Sequence, residues 1–130
     1  MTRFADIPRP RVSRKRDEAR LQEDVLKYLR LVAPQCVVFH VPNGGSRDKI
    51  EGKNLKNAGV LAGVPDLAII APGGLYHGIE LKTPKGETSD AQLALHARFA
   101  ALGIPFAVCR STGDVATALA AWKIQTREVA

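Results

Sequence analysis

Two apolar runs joined by Pro-Gly-Gly constrain this chain more than any other feature: the segment GVPDLAIIAPGGLYHGIELK, Gly63 to Lys82. Leu67 to Ala71 reads as a strand, Pro72-Gly73-Gly74 as a turn, and Leu75 to Lys82 as the returning strand. Strand side chains alternate between faces. That puts Leu75, His77, Ile79 and Leu81 on one side and Tyr76, Gly78, Glu80 and Lys82 on the other. An antiparallel hairpin also returns the end of its second strand to the beginning of its first. Asp66, Glu80 and Lys82 are therefore expected to converge at the open end, with Gly78 leaving space beside them. Register decides this, because a slip of one residue sends Glu80 to the opposite face.

The flanking sequence supplies the rest of a layered domain. From Asp17 to Val32, the residues Leu21, Val25, Leu29 and Val32 recur at three- and four-residue steps, an amphipathic helix that stops before Pro34. Cys36 to Val41 is β-branched and apolar and is expected to be a buried strand, ended by the turn sequence PNGGS. The polar stretch RDKIEGKNLKNAG reads as a short helix ending at Gly59, with Lys49, Lys53 and Lys56 on or beside one face. Beyond the hairpin, AQLALHARFAALG reads as a helix capped at Gly103, PFAVCR as a strand and STGDVATALAAWKIQ as a last helix. The order α-β-(α)-β-β-α-β-α implies an α/β domain with helices around a mixed sheet.

A chain of 130 residues, 45% hydrophobic and 25% charged, suits one globular domain with its own core. No run approaches the roughly 18 apolar residues of a membrane-spanning helix, and the first residues lack the apolar centre of a signal peptide. Cys36 and Cys109 lie far apart inside apolar runs and read as buried, reduced thiols rather than a disulfide or a metal site. A cytoplasmic protein is expected. The net charge of +6 points toward a polyanionic partner. Part of it comes from Arg3, Arg9, Arg11, Arg14, Lys15, Arg16 and Arg20 in the first twenty residues; with Pro8 and Pro10 nearby, residues 1–16 read as a flexible basic arm ahead of a single domain at 17–130. Such an arm is either solvated or in contact with nucleic acid.

Two carboxylates held together repel each other unless a cation joins them. Magnesium or manganese suits the pair, as hard ions that take oxygen ligands, and such an ion stabilises charge on a phosphate under attack. Lys82 adds positive charge at the same place or orients the attacking water. The competing account of these residues is a turn aspartate and a surface Glu–Lys pair. His40, His77 and His96 have no zinc-ligand spacing. His77 is expected in the core or an interface, and Tyr28 and Trp122 in packing.

Around the cluster, DEARLQEDVLKYLR, VPNGG, GVLAGVPDLAII and GIELKTPKGETSDAQLALHARFAALGIPFAVCRS follow one another in that order. Over Asp17 to Trp122 they resemble the virus-type replication-repair nuclease (VRR-NUC) branch of the PD-(D/E)XK nuclease superfamily. The resemblance implies a restriction-endonuclease-like α/β fold, a mixed central sheet flanked by helices. It implies that Asp66, Glu80 and the backbone carbonyl of Leu81 hold Mg²⁺ or Mn²⁺ and that Lys82 is the catalytic lysine. It also implies a supporting acid from the first helix, and Gln92 from the helix after the hairpin. Glu18, Glu23 and Asp24 compete for the first of these roles. Helical phase places Glu18 on the stripe of Leu21, Val25 and Leu29, with Gln22 as a neighbour, and Glu23 on the far side. The resemblance favours Glu18 as well. Gln92 equally fits a capping box with Ser89. Asn43 reads either as turn chemistry or as a substrate-facing residue. Arg47, Lys49, Lys53 and Lys56 read as phosphate contacts or as solvated side chains.

The activity so implied is a metal-dependent endonuclease acting on DNA. With no sequence-reading helix or zinc finger evident, recognition of DNA structure is expected over recognition of a base sequence. Small relatives of this branch resemble Holliday-junction resolvases, which implies a homodimer and a branched or four-way junction substrate. The alternatives are a sequence-specific restriction or nicking enzyme of the same superfamily, and a non-catalytic nucleic-acid-binding module.

Overall fold

The computed structural model describes residues 11–42 and 49–128, with side chains described over 16–42 and 52–128. Its elements are α1 (Arg11–Val32), β1 (Val37–His40), α2 (Lys49–Asn57), β2 (Leu67–Ala71), β3 (Leu75–Leu81), α3 (Asp90–Leu102), β4 (Phe106–Cys109) and α4 (Thr112–Ala121). This is the expected order. The four strands form one mixed sheet, β1-β2-β3-β4, antiparallel except for the parallel β3–β4 pair.

One face of the sheet carries the core. Leu67, Ile69, Ile79 and Cys109 meet Val25 and Leu29 of α1 and Val115 and Leu119 of α4, all buried. Each such leucine or valine taken fully from water contributes about 1.5–3 kcal/mol. The last carbonyls of α1, which have no partner inside the helix, are met by the C-terminal segment. The Arg127 amide donates to the Val32 carbonyl at 2.8 Å, and Arg127 Nε donates to the Leu31 carbonyl at 2.6 Å. His77 lies on this face, its ring 4.9 Å from that of Trp122, away from Glu80 as the alternation requires. The opposite face is covered by α3. Phe99 packs edge-on against Tyr76, and His96 stacks on Phe106.

Two boundaries and one environment differ from expectation. α1 begins at Arg11, not Asp17, so the last part of the basic arm is helical; Arg and Lys propagate a helix well. β3 ends at Leu81, leaving Lys82 just beyond it, although the Lys82 amide still donates to the Cys109 carbonyl at 3.0 Å. β1 is not a buried strand. It is a sheet edge with Val37 63% and Phe39 47% exposed, because α3 covers the β3–β4 side of that face. The two cysteines are free thiols, Cys109 buried and Cys36 half-buried.

Candidate active site

Asp66 is fixed from both neighbouring strands. Its carbonyl accepts from the Val41 amide at 2.8 Å and from His40 Nδ1 at 2.9 Å. Its carboxylate Oδ2 accepts the Leu81 amide at 2.7 Å. The β2–β3 register pairs Leu67 with Ile79, so Asp66 and Glu80 are the next residues across from each other, on the face beneath α3. The hairpin therefore brings the two carboxyl groups together as expected.

Glu80 is 1% exposed, and its Oε2 has no hydrogen-bond partner among the described residues. Burial, followed by the hydrogen bond and the charge of Asp66, pushes its pKa up to about 9, against a smaller opposing effect of the Lys82 ammonium. At neutral pH the pair thus keeps a proton that two ordinary carboxyl groups would have released. An orphaned buried oxygen costs about 1–3 kcal/mol, a cost that a hard cation shared by the two carboxylates would offset. Among the described residues no third His, Cys, Asp or Glu side chain completes a metal-binding group with them. The donor set is then two carboxylates with backbone and solvent oxygen, which fits a hard ion that retains waters.

The loop before Asp66 is seated on α3. Gly63 has φ +89°, and a Cβ there would lie 2.4 Å from the Ala91 carbonyl oxygen and 2.9 Å from the Gln92 amide nitrogen. Gly63→Ala is expected to lower the unfolding free energy by about 2–3 kcal/mol through left-handed strain and overpacking. A urea denaturation midpoint equal to that of the wild type would contradict this close approach. The space expected beside Gly78 is filled: a Cβ there would lie 2.7 Å from Pro65 Cγ and 3.0 Å from Tyr76 Oη. Pro65, next to Asp66 and fully buried, therefore rests on the glycine of the facing strand.

The remaining expected site residues divide. Lys82 is half-buried and close enough to Glu80 for its charge to act there. Arg110 secures the loop that follows, donating from Nη1 to the carbonyls of Thr83 at 2.7 Å and Gly86 at 2.8 Å. Gln92 does form the capping box: its Oε1 accepts the Ser89 amide at 2.9 Å, while its own amide donates to Ser89 Oγ at 3.2 Å. Glu18 is exposed, which corrects the expectation that it faces the core; Leu21 is only half-buried and full burial on α1 starts at Val25. Glu23 and Asp24 are exposed too. Lys53 and Lys56 are exposed on α2. Asn43 and Arg47 lie outside the described residues, as does the side chain of Lys49.

Sequence reasoning passed over two site-lining residues. Tyr76 has its pKa raised by burial and by the charge of Glu80, and strand alternation already placed it on that face. His96 is 8% exposed with Nε2 unpartnered, and its pKa is lowered by burial and by Lys82. It stands four residues after Gln92, one helical turn along the same face.

A mixed four-stranded sheet between helices, with Asp66 opposite Glu80 at the open end of its central hairpin, is a PD-(D/E)XK-like, nuclease-type fold. The family model of the VRR-NUC domain matches residues 13–113, and the chain belongs to that family. Two solved structures share the fold. One described as a VRR_NUC domain protein is 23% identical, with a TM-score of 0.66, over 84% of this chain and 90% of the other. One described as a VRR_NUC domain is 23% identical, with a TM-score of 0.56, over 80% of this chain and 95% of the other. No curated protein matches the chain.

Proposed function

We propose that this chain is a Mg²⁺- or Mn²⁺-dependent endonuclease that hydrolyses phosphodiester bonds in DNA and selects its substrate by structure, four-way junctions first. The observation that carries the reading is the Asp66–Glu80 pair, with one oxygen buried and unpartnered and Lys82 close by. Asp66, Glu80 and the Leu81 carbonyl would hold the ion, which supplies positive charge against the phosphate and lowers the cost of forming the nucleophile.

The chain's own residues do the rest. The Leu81 amide fixes one Asp66 oxygen and leaves the other to turn toward Glu80. The Lys82 ammonium offers charge to a non-bridging phosphate oxygen as water oxygen bonds to phosphorus and the bond to one sugar oxygen breaks. Gln92, held by its cap, keeps a side-chain amide group at this end of α3, and Glu18 supports the site from α1. Asn43, Arg47, Lys49, Lys53 and Lys56 contact the DNA backbone, and residues 1–16 extend that contact as a basic arm ahead of the domain at 17–130. A homodimer, cutting two strands symmetrically, completes the reading; the open edge of β1 with Val37 and Phe39 exposed supports association with a second copy. No helix among the described residues is long and apolar enough to cross a membrane. Action in the cytoplasm belongs to the same proposal.

The test is cleavage of labelled four-way junction, flap, single-stranded and linear duplex DNA in Mg²⁺, Mn²⁺ or EDTA, with Asp66→Ala as control. Metal-dependent cutting of the junction, absent in EDTA and in the variant, is the expected result. Cutting confined to particular base sequences would make it a restriction or nicking enzyme instead. DNA binding without any cutting, indifferent to metal and to Asp66, would leave a binding module with a nuclease fold.

A further inference from the structure

Three backbone carbonyls of the turn that follows Lys82 converge on one guanidinium. Residues 83–86 fold into a tight bend, in which the Gly86 amide donates to the Thr83 carbonyl at 2.9 Å. Arg110 Nη1 donates to the carbonyls of Thr83 at 2.7 Å and Gly86 at 2.8 Å, and more weakly to that of Pro84 at 3.4 Å. Arg110 is itself anchored at the start of α4. Its amide donates to Asp114 Oδ2 at 2.8 Å, and the Asp114 amide donates to Ser111 Oγ at 3.1 Å.

Turn formation alone does not account for an arginine here. Thr-Pro-Lys-Gly, with proline second, glycine last and its own closing hydrogen bond, makes such a bend unaided. The register also makes a cation at this place unfavourable. Gly78 pairs with Phe106 and Glu80 with Val108, so Lys82 and Arg110 are the next residues across from each other, one step beyond both strands. The Lys82 amide continues the pairing to that step, donating to the Cys109 carbonyl at 3.0 Å. Like charges directly opposite each other destabilise a sheet. The turn carbonyls offset that cost by drawing the guanidinium to themselves. Lys82 is thereby left between two fixed points, the Cys109 carbonyl at its own amide and the Arg110-held carbonyl of Thr83.

We propose that Arg110 is a positioning residue for the catalytic lysine: by clamping the 83–86 turn, it fixes the backbone from which the Lys82 ammonium reaches the phosphate. This deepens the nuclease reading and rests on it. Lys82 lies just past the last residue of β3, where the ladder of that strand no longer holds it on both sides. A misplacement of about 1 Å at a reacting group costs about 100-fold in rate. Arg110 touches no reacting atom and acts only through Lys82.

The test uses Arg110→Met, which removes the donors, Arg110→Lys, which returns a cation without the planar fork, and Lys82→Met, alone and combined with Arg110→Met. Arg110→Met is expected to bind a four-way junction nearly as tightly as wild type in Mg²⁺ and to cleave it about 100-fold more slowly in a single turnover. Arg110→Lys should recover part of the rate. In the Lys82→Met background, Arg110→Met should cost nothing further, whereas general loss of structure would slow both backgrounds alike. Cleavage by Arg110→Met at the wild-type rate, or an equal loss with and without Lys82, would overturn the proposal. A second readout needs no turnover. Lys85 is exposed in the turn, and trypsin digestion followed by mass spectrometry should show its peptide bond to Gly86 cut about tenfold faster in Arg110→Met, the scale of losing hydrogen bonds to a charged group. If the wild type cuts no DNA, the nuclease reading fails and this role of Arg110 fails with it; equal trypsin rates at Lys85 in the two proteins defeat the clamp specifically.

Discussion

Asp66→Asn is expected to reduce junction cleavage by roughly a thousandfold or more, the scale on which enzymes respond to loss of a group that stabilises the transition state. The fold should survive it. The asparagine Oδ1 can still accept the Leu81 amide that Asp66 Oδ2 accepts at 2.7 Å, and the backbone contacts to Val41 and His40 do not involve the side chain. What disappears is one negative charge beside Glu80, and with it half of the proposed side-chain donor set for a divalent ion. DNA binding should hold or tighten, since a negative charge facing phosphate is removed. Melting temperature, binding and single-turnover cleavage, measured on one preparation, separate these effects. Residual cleavage within tenfold of wild type, in a protein of equal stability, would remove Asp66 from the reaction.

The centre of this arrangement was legible because its cause is local. Strand alternation and a Pro-Gly-Gly turn dictate that Asp66 and Glu80 meet, and the register that pairs Leu67 with Ile79 realises it. What was not legible depends on surfaces distant in sequence. The run from Cys36 to Val41 is apolar enough for an interior strand, but apolar character does not say on how many sides a strand has neighbours, and β1 has an open edge. Helical phase put Glu18 on the stripe of Leu21, Val25 and Leu29, yet phase does not report where the covering surface stops, and among the described side chains of α1 full burial starts only at Val25. Gly78 read as open space beside the cluster, because the sequence does not say that Pro65 fills it. His96 looked like one more histidine on a helix because its neighbour Phe106 comes from the following strand, and only the tertiary contact gives it a position beside the site.

Glu80→Gln is expected to stabilise the metal-free protein while abolishing its activity, and the stability gain should grow with pH. The carboxyl group of Glu80 has its pKa raised from 4.5 to about 9 in the folded chain, mainly by burial and then by Asp66. Between those values the folded state retains a proton that the unfolded chain has released. Unfolding therefore releases a proton, and wild-type stability falls as pH rises. The loss is absent below the unfolded pKa and complete above the folded one. Glutamine keeps the shape, carries no charge and titrates nowhere in this range. The difference between variant and wild type should then widen by up to about 1.4 kcal/mol per pH unit across that window. Denaturant titrations at pH 5.5, 7 and 8.5 read it directly, and parallel pH curves for the two proteins would contradict the assignment of the proton to this pair. Divalent ions should reverse the order. An ion that binds only the folded state stabilises in proportion to the logarithm of its concentration over Kd, so Mg²⁺ or Mn²⁺ should raise the wild-type melting temperature and leave Glu80→Gln nearly unmoved. Destabilisation of the metal-free fold at high pH, relieved by a cation, would be the thermodynamic counterpart of the unpartnered Glu80 oxygen.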